Sequence, residues 1–260
     1  MLQQLLRFAR RRRSPNDGRE GFVYVSGGDE GPMQHASQGA VVRVAGRGPP
    51  WIVVGHERAS LIVAKWPGRR WHVRVAEAAT LKDQRKAGGA PHSYARYTRA
   101  VAVEIIQEEE AWILFGPEGR AVSDVIDAGS KLEQRRAELL ASNRHPEAAS
   151  AYDRSWRAWM REGGIPDGNY EDLDGTLLLG ISGSPINKGL AVLHGGVFKR
   201  AEALDGDAAT AGDGEDVWLA SPWNGASCAL CDAALAMGAP KIVSPNDRNI
   251  LMQAWMTADR

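Results

Sequence analysis

Apolar and polar positions follow one rhythm up to Phe115 and another beyond it. Phe22-Val-Tyr-Val25, Trp51-Ile-Val-Val54, Trp71-His-Val-Arg-Val75, Ala100-Val-Ala-Val-Glu-Ile-Ile106 and Ala111-Trp-Ile-Leu-Phe115 are short runs rich in β-branched and aromatic residues. Such runs predict strands. Met33 to Ala45 predicts a helix ending near Gly46, and Glu57-Arg58 opens a second that runs to Trp66, where Pro67-Gly68 stops it. The expected order is β-α-β-α-β followed by a hairpin. Glu108, Glu109 and Glu110 offer either metal-ligating carboxylates near the sheet or a hairpin turn facing water, and the turn is the simpler reading.

Beyond Gly116-Pro117 the period is helical. Val122, Val125, Ile126, Leu132, Leu139 and Leu140 mark one apolar stripe, and Tyr152, Trp156, Trp159 and Met160 a second. Ser184-Pro185, Ser221-Pro222 and Ser244-Pro245 announce three more helices, because serine caps free N–H groups and proline suits a first helical position. Their apolar runs are Ile186 to Leu204, Ala226 to Met237 and Ile250 to Met256. The expected fold class is α+β. A basic segment at 1–20 precedes a mixed-sheet domain at 21–118 and a helical subdomain at 119–260.

Composition changes this picture only through its distribution. A length of 260 residues suits one large domain or two small ones. The formal charge is zero, so no global field favours nucleic acid, yet the charges are segregated. Arg7, Arg10 to Arg13, Arg19, Arg43, Arg47, Arg58, Lys65, Arg69, Arg70 and Arg74 make the first part basic, while acids gather later, in Glu108 to Glu110 and from Glu202 to Asp216. The basic part reads as a local polyanion site or as a solvated face. Leu2, Leu5, Leu6 and Phe8 give a brief amphipathic start with no long apolar stretch after it. Neither a secretory signal nor a membrane span is expected, and a cytoplasmic protein is.

Other motifs carry less. Cys228-Ala-Leu-Cys231 has redox spacing, but too little chain follows for a thioredoxin-like second half, so two small buried residues on one helix face are expected. His35, His56, His72, His92, His145 and His194 lack i, i+4 pairing and neighbouring cysteines, which argues against structural zinc. Gly180-Ile-Ser-Gly-Ser184 nearly matches a nucleophile elbow, but Ser184 stands where a glycine is needed and reads as a helix cap.

The candidate chemistry centres on Trp51-Ile-Val-Val-Gly-His-Glu-Arg58, an apolar strand running through a glycine into a charged helix start. Free N–H groups and the positive dipole end of a helix favour an anion, and Arg58 adds a bidentate donor. Gly55-His56-Glu57-Arg58 resembles the G-x-x-R box of the ParB/sulfiredoxin fold, over roughly Phe22 to Ala78. The resemblance implies that Gly55 and Arg58 hold nucleotide phosphates, with ATP or another nucleotide and magnesium as cofactors. It has no counterpart here of the second phosphate box of partition proteins and no cysteine near the turn, so a nuclease or nucleotide-hydrolase branch is the better match. The start Met1 to Arg13 also resembles plasmid-borne fertility-inhibition (oncogenic-suppression) proteins of that superfamily.

Within this reading Glu57 holds a divalent ion or positions water, and His56 serves as acid or base. Arg69 and Arg70, with Tyr94, Arg96, Tyr97 and Arg99 in an interleaved aromatic and basic stretch, would contact nucleic acid, the tyrosines stacking on bases and the arginines meeting phosphates. Surface packing of the tyrosines is the plainer alternative. The expected function is a nucleotide- or DNA-handling enzyme that interferes with DNA transfer. Its rival is a non-catalytic factor that binds a protein partner through the tryptophan-rich helical half.

Overall fold

The structure, a computed structural model, describes residues 17–28, 31–57, 61–86, 97–162, 185–212 and 217–258. The chain divides into two units, one of residues 1–62 and 68–111, the other of 63–67 and 112–260. The fold class is α+β, with an amino-terminal sheet and carboxy-terminal helices.

In the first unit, β1 (Glu20–Ser26), β2 (Val41–Arg43), β3 (Ile52–Gly55), β4 (Gly68–Ala78) and β5 (Tyr97–Glu109) pair antiparallel in the order β2-β5-β3-β1-β4. A further β4–β5 pairing closes this sheet into a small barrel. Strand β5 makes closure possible. One edge runs along β4, from Ala100↔Ala78 to Glu109↔Arg70, and the other takes β3 at Tyr97–Ala100 and then β2 at Ala102–Glu104. Register shifts between His72/Val73, Val75/Glu77 and Glu77/Ala78 mark irregularities that sharpen the bend a closed sheet needs. Alternation places Val23 and Val25, Ile52 and Val54, Trp71, Val73 and Val75, and Val103 and Ile105 in one core. Each such side chain contributes roughly 1.5–3 kcal/mol by leaving water.

Four expectations are corrected here. The sheet is antiparallel throughout, not mixed. The helix expected over Met33 to Ala45 is a single 3-10 turn at Gly31–His35 followed by β2. Gly39 takes φ +79° between them, and β-branched Val41 and Val42 prefer the sheet. The helix expected up to Trp66 does not run through its described part, since Leu61 to Pro67 is irregular chain. Leu61 and Val63 are buried while Ile62 between them is 82% exposed, a period of two that no helix satisfies. Finally, Ala111–Phe115 is a 3-10 segment instead of a hairpin strand, and it ends at Gly116 with φ +100°.

The second unit contains α2 (Gly119–Ser130), α3 (Gln134–Ser142), α4 (Ala148–Glu162), α5 (Pro185–Asp205), α6 (Trp223–Gly238) and α7 (Pro245–Ala258); the short α1 (Leu81–Lys86) belongs to the barrel unit. Helix α6 is apolar nearly all round, with Trp223, Ala226, Ala229, Leu230, Ala233 and Leu235 buried, and it packs against α2, α3, α5 and α7. Small residues allow close packing. A Cβ on Gly129 would meet Leu193 Cδ1 at 2.7 Å, and one on Gly225 would meet Ala141 Cβ at the same distance. Leu132 and Leu140 are buried as the first stripe predicts, but Leu139 faces outward. On α4, Tyr152 stacks on Trp156, and Trp156 and Trp159 pack on the buried Met160.

The serine-proline starts differ from one another. Ser244 Oγ accepts from the Asp247 backbone N–H at 3.1 Å, the expected cap. Helix α6 begins at Trp223 with Pro222 at its cap position and no side-chain cap bond, so Ser221 does not play that part. Ser184 lies outside the described residues, as does the near-elbow at Gly180.

Candidate functional site

Gly55 ends β3 in regular ladder geometry, opposite Tyr97 on β5 and Phe22 on β1. It is not among the described glycines with positive φ, so its expected turn conformation is corrected. The close approach falls on Gly21 instead. A Cβ there would stand 2.6 Å from the Gly55 carbonyl oxygen and 3.0 Å from His56 Nδ1. Arg58, where the strand-to-helix anion site is expected, lies outside the described residues, and the chain described after it, from Leu61, is not helical.

His56 bridges two strands. Its Nδ1 lies 2.8 Å from the Glu20 carbonyl oxygen, which can only accept, so Nδ1 carries the proton. Nε2, 2.7 Å from Thr98 Oγ1, then accepts from that hydroxyl. Burial holds the imidazole below its usual pKa, reinforced by Arg19, while the bond to the Glu20 carbonyl and the charge of Glu57 act in the other direction. Hydroxyl, imidazole and carbonyl therefore form a chain like that of a nucleophile and its base, but Thr98 is only 2% exposed and reaches no substrate. Glu57 is exposed beside it, and among the described residues no group of three or more His, Cys, Asp or Glu is placed to hold a metal ion.

The candidate nucleic-acid arginines face carboxylates and rings. Arg69 donates through Nε and Nη2 to both oxygens of Glu108 at 2.7 and 2.8 Å and lies 4.4 Å from the Trp71 ring centroid. Arg70 is buried, pairs with Glu109 and stacks 4.1 Å over Phe22. Arg99 reaches Gln84 at 3.4 Å and lies 5.3 Å from the Trp51 ring. Tyr97 starts β5, while Tyr94 and Arg96 lie outside the described residues. Glu108 and Glu109 are thus ladder residues of β5, and the solvated turn expected there is corrected.

The same pairing extends around the barrel. Arg74 bridges Glu20 and Glu104 at 2.8 and 2.9 Å. Arg43 and Arg47 converge on Glu77 at 2.6 and 2.5 Å, and Arg47 also reaches Asp83 at 3.3 Å. Asp83 exchanges bonds with Thr80 to cap α1. These partners hold the Glu20, Glu77 and Glu108 carboxyls below their usual range through Arg74, Arg43 and Arg69, and that of Asp83 chiefly through Thr80.

Sequence reasoning missed the polar contacts of the helical unit. Arg144, after α3, donates to both oxygens of the buried Asp232 at 2.7 and 3.2 Å. Burial, the larger influence, pushes the Asp232 carboxyl up, against the pull of Arg144. His194 Nδ1 lies 3.1 Å from Ser227 Oγ. Cys228 and Cys231 are free thiols on α6, and burial pushes Cys231 up to about 12, far from a reactive thiolate. The second missed feature is a two-stranded ribbon, β6 (Thr210–Ala211) and β7 (Trp218–Leu219). It carries Trp218 at 56% exposure, whereas Trp223 just beyond it is fully buried and donates to Asp205 at 2.7 Å. The apolar run Val217 to Ala220 was the available signal.

Comparison with protein-family models, curated proteins and solved structures gives no match for this chain.

Proposed function

We propose that the protein is a non-catalytic binding factor whose helical unit engages a protein partner. The observation that carries this reading is the exposure of Trp218 on a short ribbon, since a large ring left in water on a fixed support is the kind of anchor that dominates binding interfaces. Two features of the barrel support it. The described arginines at its candidate phosphate face already meet carboxylates or aromatic rings. His56, the candidate acid or base, has both ring nitrogens engaged inside the barrel wall. A cytosolic setting accords with the free cysteines.

The competing reading is a nucleotide- or DNA-handling enzyme of ParB/sulfiredoxin type, with magnesium and a nucleotide at Gly55 to Arg58. One comparison separates the two. Purified protein is assayed for thermal shift and hydrolysis with nucleotides and short DNAs, with and without magnesium, alongside His56→Ala and Arg58→Ala. The binding-factor reading expects no turnover and no shift that these substitutions remove. Magnesium-dependent cleavage abolished by either substitution would overturn it.

A further inference from the structure

We propose that the ribbon bearing Val217 and Trp218 is a docking point for a basic, amphipathic segment of another protein, one that interleaves lysine or arginine with leucine-like side chains. This names the partner's chemistry for the protein-binding reading above and rests on it.

The support under the two side chains is firm. Leu219, next along β7, is buried, and Ala220 donates its N–H to the Ala209 carbonyl at 2.9 Å. Thr210 pairs with Leu219 and Ala211 with Trp218. Trp223 is locked beneath by Asp205. Val217 and Trp218 are nevertheless 48% and 56% exposed. Burying a tryptophan face from a fixed position orders few additional torsions, so most of the apolar gain is available to binding.

Charge selects the partner. No Lys, Arg or His occurs from Ala201 to Pro240. Glu202, in the last turn of α5, and Asp207, in the 3-10 segment that leads from α5 to the ribbon, are exposed and form no ion pair among the described residues. Carboxylates in the barrel behave differently, each of Glu20, Glu77, Glu104, Glu108 and Glu109 having an arginine within ion-pair reach. The exposed ring thus belongs to a stretch of chain, from Ala201 to Pro240, that carries exposed acids and no base, although Lys199 and Arg200 precede it. That surface attracts cationic groups and repels acidic segments, while the apolar contact supplies affinity.

The test is calorimetric titration of the full chain with a short leucine-lysine amphipathic peptide and with its leucine-glutamate counterpart. The lysine peptide is expected to bind and the glutamate peptide not to. Trp218→Ala should weaken binding by roughly tenfold or more, the size expected of an interface anchor. Glu202→Gln with Asp207→Asn should weaken it by about threefold at low salt and hardly at all at high salt, as a screened rim charge requires. Unchanged affinity in Trp218→Ala overturns the docking point. Equal binding of the glutamate peptide, still lost with Trp218→Ala, overturns the partner's charge and leaves the protein-binding reading intact. Failure of both peptides together with magnesium-dependent nucleotide or DNA cleavage overturns both. A photo-crosslinking amino acid at position 217 identifies the occupant, and crosslinks to residues 1–16 of the same chain or to a second copy would overturn a separate partner.

Discussion

The barrel and the helical unit differ in where they place most of their paired charges. In the barrel, most described pairs of arginine and glutamate meet across neighbouring strands on a surface open to water, as in Arg69 with Glu108 and Arg74 with Glu20 and Glu104, the buried Arg70 with Glu109 being the exception. In the helical unit such contacts are fewer among the described residues, and Arg144 with Asp232 joins segments 88 residues apart around a carboxylate that is only 2% exposed. The exposed pairs contribute little free energy but favour one strand register, because a slip would part the opposite charges. The pair of Arg144 and Asp232 is different. Removing Arg144 strands the Asp232 carboxyl in an apolar setting, so the unit depends on the pair even if it adds little net stability.

The sharpest way to break this comparison is Arg144→Ala, which leaves the buried Asp232 without its partner. It should lower stability by about 3 kcal/mol or more, read as a fall in the urea midpoint followed through helical signals. An effect no larger than that of an exposed pair would place Arg144 and Asp232 in the same category as the barrel pairs. Next in size is Gly129→Val, which forces a side chain against Leu193 and Val197 between α2 and α5. Overpacking of this kind costs about 1–3 kcal/mol, measurable as a lower melting temperature.

Acid should affect the barrel more gradually. The folded-state pKa values of Glu20, Glu77, Asp83 and Glu108 are depressed, so their stabilisation is present above the ordinary carboxylate range and is lost as pH falls through the lowered values. The window therefore opens near pH ~4 and extends downward. Hydrogen exchange of β4 and β5 amides, corrected for its intrinsic pH dependence, should show weakening protection there, and Glu77→Gln with Asp83→Asn should flatten the change. Protection that is constant down to strong acid would show that these pairs contribute nothing to barrel closure. The smallest effect belongs to the Arg69 and Glu108 double-mutant cycle, with an expected coupling of about 0.2–1 kcal/mol. A coupling of several kcal/mol would mean that the barrel surface is as demanding as the helical interior.

Period was legible in the sequence and partnership was not. The centres of β1, β3, β4 and β5 stand out because alternate side chains face one core. Val41 and Val42 were hidden because the preceding apolar positions suggested a helix, and the following strand is only three residues long. Leu61-Ile-Val63 reads equally well as a helical fragment until burial separates Ile62 from its neighbours. Gly55 and His56 were recognisable as a strand end. What His56 does there depends on Glu20 and Thr98, 36 and 42 residues away in the chain, and no local pattern specifies such a meeting. Glu108 and Glu109 were misread for the same reason, since their role is set by arginines on β4.

The position of β5 also affects how the protein is made. Strand β2 pairs with β5 alone, and β3 has only the Phe22↔Gly55 pair apart from its ladder with β5. A ribosome-bound chain that has not yet released Tyr97–Glu109 can form the β1–β4 ladder but leaves β2 and β3 with apolar side chains and open edges. Strand closure must wait for contacts distant in sequence, and unpaired edges invite association with other nascent chains. The last barrel strand to be synthesised is therefore the one on which the others depend, and a ribosome stalled just before it would hold a nascent chain especially prone to aggregate.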